Sequence, residues 1–445
     1  MTGRIFYLYG LLLFVFLVPK NGFAVIPGNP YPEIPKSILA DIRHVCFIVN
    51  PASNNGQGAR VWESIEQAVN HYFTAVGSQD EAAAQDRATF EVFFTEYAGH
   101  ATDLATQAHQ NWQQEHQEQR EQQEQELQGD EHKLLKKKLL HYKEAGRKAL
   151  KSASARQLLE NQLLIVAVGG DGTVHEVVQG LEAHRQQVII GVIPAGTGNN
   201  IARSLQLRDP MHALRTLVYG AVQPLGAYKI EACERGSCQK KTVLAVNEFD
   251  LGVTNQLTKR KNDYGSGERS GRLMSYSPGN MIYPLSDLAS TMRWNTPMVK
   301  CSINGGSRFH IPLNILAGGV TGPIIGGEFG LQDGVRADSS QGELLYGEKW
   351  DPPLWALVQV AMQRLFNWSG LKRAQFNQLD IEHVKEPPPD IQVDGDILLQ
   401  TPARITWLPG VLHFMRPPVY GDYNYFDMYF EEAEDERAKK KQDSM

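Results

Sequence analysis

Three glycine-rich stretches follow directly on aliphatic runs, and each has the make-up of a phosphate cradle. Leu163 to Val168 leads into Gly169-Gly170-Asp171-Gly172-Thr173, with Glu176 three residues further on. Glycine lets backbone N–H groups approach an anion without a Cβ in the way. A helix that starts there adds N–H donors and the positive end of its dipole. Thr173 contributes a hydroxyl, and Asp171 a carboxylate suited to a metal ion or a reacting hydroxyl. Val188 to Ile193 leads in the same way into Pro194-Ala195-Gly196-Thr197-Gly198-Asn199-Asn200, then Ile201-Ala202-Arg203. A third stretch, Asn50-Pro51-Ala52-Ser53-Asn54-Asn55-Gly56-Gln57-Gly58, ends the run that begins at His44, and Thr95 ends a further run. One glycine turn says little; four such strand ends together imply a nucleotide site. The spacing is neither that of a P-loop nor that of a dinucleotide fingerprint. Charge neutralisation therefore falls to backbone donors, helix ends, a metal ion and Arg203.

These loops need a sheet to hold them. His44 to Asn50, Phe90 to Thr95, Leu163 to Val168 and Val188 to Ile193 read as short buried strands. Helical spacing of apolar residues recurs over Ala59 to Phe73 and Ala98 to Gln110. The alternation predicts a doubly wound, parallel α/β domain over 41–222, in which ligands bind beyond the carboxyl ends of the strands. Residues 110–161, rich in Gln and Glu and then in Lys and Leu, read as a solvated helical insertion, a surface excursion or a protein-partner site. From about Leu225 the pattern changes to strand-like runs, such as Thr242 to Val246 and Leu313 to Ala317, separated by Gly, Asn and Ser. This predicts a largely antiparallel β domain over 223–409. The mixed-charge end, 431–445, reads as a disordered tail.

At the loops the chain resembles the catalytic domain shared by diacylglycerol, sphingosine and ceramide kinases and their bacterial relatives. Asn50 to Ser53, Gly169 to Thr173 with Glu176, and Pro194 to Asn199 with Ala202-Arg203 carry the likeness. Weaker matches follow at Asn247-Glu248-Phe249-Asp250-Leu251-Gly252, at Gly326-Gly327 and at Val393-Asp394-Gly395-Asp396. The resemblance implies an α/β ATP-binding domain joined to a C-terminal antiparallel β-sandwich, with the chain end, about 410–420, returning to the first domain. It implies ATP and Mg2+ as cofactors. Asn50, Ser53, Thr95, Gly169, Gly170, Asp171, Gly172, Thr173, Glu176, Gly196, Thr197, Gly198 and Asn199 would form the nucleotide site. Asp171 would be the metal ligand and a catalytic residue, and Asp394 and Asp396 would supply the general base. Read alone, Asp394-Gly395-Asp396 is a β-turn signature. The implied activity is phosphorylation of a hydroxyl on a diacylglycerol- or sphingoid-type lipid at a membrane surface.

Three positions depart from the family pattern. Asn54 replaces a glycine, Asn200 an aspartate of many relatives, and Ala337 to Leu344 stands where the family usually has Asp-Asp-Gly-Leu, whose Asp helps to hold a structural magnesium in bacterial relatives. Ser340 and Gln341 supply no anionic ligand, and Asp338 or Glu343 would substitute only after a shift. The expectation is that this second metal site is lost or altered. A lipid- or nucleotide-binding pseudokinase and an NAD kinase, which shares the Gly-Gly-Asp-Gly-Thr loop, stay as alternatives.

The whole chain sets outer bounds. With 445 residues, 42% of them hydrophobic, it can bury a large core, and a net charge of -6 argues against a general nucleic-acid binder. Arg4 precedes an apolar run from Ile5 to Val18, and Gly22-Phe23-Ala24 follows. Residues 1–24 thus read as a signal peptide or an N-terminal anchor, giving an exported or membrane-associated chain. Cys233 and Cys238 flank a turn-like stretch; a hairpin disulfide and separate thiols both fit.

Overall fold

The computed structural model describes Ile42 and residues 44–75, 88–126, 163–182, 188–237, 239–252, 296–320, 339–347 and 371–417, with a few isolated positions besides. The chain is a mixed α/β protein rich in sheet, and it divides into two compact units. Among the described residues, one comprises those up to 224 together with those from 411 onward, and the other those from 225 to 410. The segments read as a signal or anchor and as a disordered tail lie outside the described residues, as do Gly326 and Gly327. Among the described residues no helix is long and apolar enough to cross a membrane.

The first unit is built on strands β1 (His44–Val49), β2 (Thr74–Ala75), β3 (Thr89–Phe94), β4 (Leu163–Gly169) and β5 (Val188–Pro194). They lie in the order β5-β4-β1-β3-β2, and every pairing is parallel. All of β4 and β5 is buried, as the unbroken aliphatic runs require of strands covered on both faces. The helices are α1 (Ser53–Tyr72), α2 (His100–Glu126), α3 (Asp171–Gly180), α4 (Asn200–Ser204) and α5 (Pro210–Tyr219). Phe47 of β1 packs edge-on against Phe73 and Phe90 and tilts against Trp62 of α1, so aromatic side chains fix that helix to the sheet.

One predicted boundary moves. The helix expected to end near Gln110 runs on to Glu126, so the Gln/Glu-rich stretch begins as its continuation. Gln and Glu are good helix formers, and no Gly or Pro intervenes to stop it. The remainder of the 110–161 stretch beyond Glu126 lies outside the described residues. Helix α2 is pinned to α3 at close range: Thr102 Oγ1 donates to Glu176 O at 2.9 Å, and Thr106 Oγ1 to Gly180 O at 3.0 Å. A Cβ on Gly180 would lie 2.3 Å from Thr102 O, so only glycine permits this approach.

In the second unit the described pairings are antiparallel. Its strands are β6 (Ala221–Glu234), β7 (Lys240–Ala245), β8 (Glu248–Gly252), β9 (Met298–Ile303), β10 (Phe309–Pro312), β11 (Ile315–Gly319), the two-residue pair β12 (Ile324–Ile325) and β13 (Phe329–Gly330), β14 (Gly342–Tyr346), β15 (Lys372–Phe376), β16 (Gln378–His383), β17 (Asp390–Val393) and β18 (Asp396–Arg416). Strand β8 sits between β11 and β17, and β16 between β9 and β18. The core centres on Tyr228, stacked on Phe376 and tilted against Trp407, with Phe249 edge-on. Gly226 and Gly342 make room for it: a Cβ on Gly226 would lie 2.2 Å from the Trp407 ring, and one on Gly342 2.5 Å from Tyr228. The last residues of β18 belong to the first unit, where His413 and Phe414 pair in parallel with Ile189 and Ile190 of β5.

Cys46, Cys233 and Cys301 carry free thiols, while Cys238 lies outside the described residues. Burial raises the thiol pKa of Cys46 well above its usual value and pushes that of Cys301 up to about 12. Neither should react with a disulfide reagent at pH 8 until the protein unfolds, whereas half-buried Cys233 should react in the native state. A time course of thiol titration with and without denaturant checks this.

Candidate nucleotide site

The parallel register brings the loop-bearing strand ends level. Val49 pairs with both Phe94 and Val168, and Gly169 pairs with Pro194. The chain fills one side of β1 with β3 and β2, then the other with β4 and β5, so strand order reverses between β1 and β4. Crevices at such reversals, outside the carboxyl ends of the strands, are where open α/β sheets bind ligands. Asn50 and Thr173 meet there: Asn50 Nδ2 donates to Thr173 Oγ1 at 3.0 Å.

Each loop braces its neighbours. Ser53 Oγ donates to Ala195 O at 3.1 Å, joining the first loop to the β5 loop. Thr197 Oγ1 donates to Asn54 Oδ1 at 3.0 Å, a second tie between the same loops. Ala195 N donates to Gly169 O at 2.8 Å, and Ile201 N donates to Asp171 Oδ1, also at 2.8 Å. Asn199, itself left-handed, closes the β5 loop: its Oδ1 accepts from Gly196 N at 2.8 Å, and its Nδ2 donates to Gly196 O at 2.9 Å. Asn50, Ser53, Gly169, Gly170, Asp171, Thr173, Gly196, Thr197 and Asn199 therefore come together in one unit. Gly198 and Gly172 lie on the same loops, and Thr95 is fixed beside them through Thr95 N to Val49 O at 2.9 Å.

Backbone geometry explains the residue types. Asn54 and Asn55 adopt φ of 49° and 56°, followed by Gly56 at 88°. Asparagine tolerates this left-handed conformation, so Asn54 can replace a glycine there. A Cβ on Gly58 would fall 1.9 Å from Asn50 O, which reserves that position for glycine. The β4 and β5 loops touch backbone to backbone: a Cβ on Gly196 would lie 2.4 Å from Gly170 Cα. We expect Gly196→Ala to part the loops and weaken Mg-ATP binding by on the order of 10-fold or more, with the melting temperature shifting by a few degrees at most. Calorimetric titration beside a melting curve checks it.

Glu176 has a partner that its motif does not reveal. Its two carboxylate oxygens accept from Gly99 N at 2.9 Å and Ala101 N at 3.3 Å, at the start of α2. A carboxylate there satisfies orphan amides and meets the positive end of the helix dipole. Glu176 thus positions the loop after β3 against α3. No side chain caps α3, whose N-cap is Gly170. In this α/β unit the sequence alone marked Asn54 as standing in for a glycine, but it did not single out Gly58 within its loop or the loop from Glu96 to His100. The left-handed asparagines carried a usable signal in their type.

The donors suit a magnesium ion carried by phosphate. Mg2+ is usually held by one or two carboxylates plus phosphate oxygens and water. Asp171 supplies a carboxylate, and the buried Asn200 Oδ1 has no hydrogen-bond partner. A Cβ on Gly198 would lie 3.1 Å from Asp171 Oδ2 and 3.7 Å from Asn200 Oδ1, so both oxygens border the same backbone position. Among the described residues no group of three or more His, Cys, Asp or Glu could hold a metal by itself. In the segment where the second metal site is expected to be lost or altered, Trp407 Nε1 donates to Ser339 O at 3.1 Å, and Ser339 Oγ to Gln341 O at 2.6 Å. Asp338 lies outside the described residues.

In the β unit, Asp394 and Gly395, at φ of 52° and 97°, form the two-residue turn between β17 and β18. Asp-Gly is a preferred pair for this left-handed turn. The Asp394 carboxylate is buried and accepts the amides of Asn247 at 2.7 Å, Val246 at 2.9 Å and Glu248 at 3.0 Å. Asp396 is exposed.

Comparison with known proteins agrees with the motifs. Residues 117–230 match the model of the diacylglycerol kinase catalytic domain, a span that starts within the Gln/Glu-rich stretch and takes in the loops after β4 and β5 but not the Asn50 loop. Staphylococcus aureus proteins named "Putative lipid kinase" are 24% identical over 273 residues, covering 57% of this chain and 76% of theirs. A solved structure of a "putative diacylglycerol kinase" from Bacillus anthracis superposes with a TM-score of 0.55 at 18% identity, covering 85% of this chain and 99% of that one. A further diacylglycerol kinase structure from the same organism gives 0.51 at 18% identity, over 84% and 98%. At such identity the structures establish the likeness of fold.

Proposed function

We propose, from the match of residues 117–230 to the diacylglycerol kinase catalytic domain, that this chain is a lipid kinase that uses ATP. The observation that carries the reading is the bracing of three glycine loops at the reversal of strand order, with Asp171 tied across two of them. The α/β unit is the nucleotide-binding domain and the β unit the substrate domain. Backbone amides of the loops after β4 and β5 hold the phosphates, Asn50, Ser53 and Thr197 lock the loops in position, and Thr95 lines their edge. Asp171 and Asn200 would hold a magnesium ion brought in with ATP. Bound there, the ion would neutralise charge on the phosphates, which a site without a P-loop lysine otherwise lacks. Asp394 and Asp396 are the carboxylates proposed to take the proton from the acceptor hydroxyl. The acceptor is a diacylglycerol- or sphingoid-type lipid presented at a membrane surface.

The test is ADP release from Mg-ATP in the presence of vesicles with and without diacylglycerol, monoacylglycerol, sphingosine or ceramide. Release that depends on one of these lipids supports the reading; release that no lipid stimulates contradicts it.

A further inference from the structure

Past β3 the chain holds an aromatic surface that the phosphate loops do not use. Tyr97 is 58% exposed, high for so large a ring, yet it is not loosely held. One face stacks on His100, with ring centroids 4.3 Å apart and planes 10° from parallel. The hydroxyl donates to Asp103 Oδ2 at 3.0 Å, and this bond raises the phenol pKa above its ordinary value, so the donor stays protonated. His100 is pinned in turn: its Nδ1 accepts from Glu96 N at 3.0 Å. Phe94, 47% exposed, adds a second aromatic side chain at the same strand end. Solvent-exposed aromatic rings ordinarily sample several rotamers; here three separate contacts hold one plane still.

Its place in the fold gives the plane a use. Tyr97 stands two residues after Thr95, so no more than about 7 Å of chain separates it from the rim of the phosphate loops. Glu176 clamps the same segment to α3, the helix whose first residues carry Asp171 and Thr173. The plane and the phosphate cradle are thus fixed on one frame within one unit. A nucleoside triphosphate has an anionic end and a flat aromatic end, and the two features match these in kind.

We propose that Tyr97, backed by His100, is the platform on which the base of the bound nucleotide stacks, with Glu176 as the positioning residue that sets it relative to the phosphate loops. The inference rests on the nucleotide site proposed above. Stacking of a base on an aromatic side chain is worth roughly 5- to 150-fold in affinity. It is insensitive to hydrogen-bond pattern, so purines, with the larger face, should be preferred over pyrimidines.

The test compares Mg-ATP with Mg-tripolyphosphate, which carries the anion without the base, by calorimetric titration of the full chain. Wild type should bind ATP more tightly than tripolyphosphate. Tyr97→Ala should weaken ATP by roughly 5- to 150-fold and leave tripolyphosphate unchanged, while Tyr97→Phe should stay within about 3-fold of wild type. An unchanged ATP affinity in Tyr97→Ala, or an equal loss for both ligands, would overturn the platform while leaving the phosphate site standing. Failure of wild type to bind either ligand would overturn the nucleotide site itself, and the platform with it.

Discussion

Replacing Asp171 with asparagine is expected to lower phosphoryl transfer from Mg-ATP by on the order of 10³-fold while leaving the fold intact. The side chain has two tasks that this substitution separates. Its Oδ1 accepts the Ile201 amide at 2.8 Å and so ties the β4 loop to the start of α4. An asparagine oxygen can keep that bond, but it removes the negative charge proposed to face the metal. Asp171→Ala loses both, and should add a stability loss of about 1 kcal/mol from the broken strut. Single-turnover transfer measured beside a melting curve distinguishes them. If Asp171→Asn retains wild-type turnover, Asp171 is a strut and no more.

The second large effect falls on Asp394 and is one of stability. Its buried carboxylate satisfies the amides of Val246, Asn247 and Glu248. Asp394→Ala strands these donors in the interior, at about 1–3 kcal/mol for each unsatisfied group. A loss of about 3 kcal/mol or more is expected, seen as a fall in the denaturant midpoint with little change in slope. Asparagine recovers only part of this, because its NH2 group must then face one of the backbone donors. Asp396 is exposed, and Asp396→Ala should alter stability by no more than about 0.5 kcal/mol. A loss of activity in that variant can therefore be read as chemistry, whereas one in Asp394→Ala cannot without the stability measurement beside it.

These two aspartates show what was legible in the chain and what was not. Asp171 sits in a motif whose logic is local: an aliphatic strand, glycines without Cβ, then a helix. The strands at His44, Leu163 and Val188 could be read for the same reason, since an unbroken aliphatic run is what a strand covered on both faces needs. Asp394 reads locally only as a turn residue, and the structure bears out a left-handed Asp-Gly turn. Its amide partners lie 146 to 148 residues earlier, and nothing in the turn's composition points to them. Glu176 is similar: the partners of its carboxylate are 75 and 77 residues away, so its hold on the start of α2 emerges only with the fold. The length of α2 is hidden for a different reason: the change to Gln and Glu near residue 110 reads as the start of a separate helical insertion, but polarity marks exposure alone, and those residues carry the preceding helix on to Glu126.

The β4 and β5 loops pack backbone to backbone at Gly170 and Gly196. A Cβ on Gly196 would collide with Gly170 Cα at 2.4 Å, whereas one on Gly170 would make a tight approach of 3.1 Å to Gly196 Cα, so the demand for glycine is strictest on the β5 loop. The cradle is a joint property of β4 and β5.

What separates a lipid kinase from the alternatives is the acceptor of the γ-phosphate, proposed above to be a lipid. The most direct measurement offers labelled γ-phosphate from Mg-ATP to diacylglycerol, monoacylglycerol, sphingosine, ceramide and NAD side by side, and separates the products. Label is expected in at least one lipid and none in NAD. Label in NAD alone, or saturable ATP binding with no labelled product at all, would contradict that proposal.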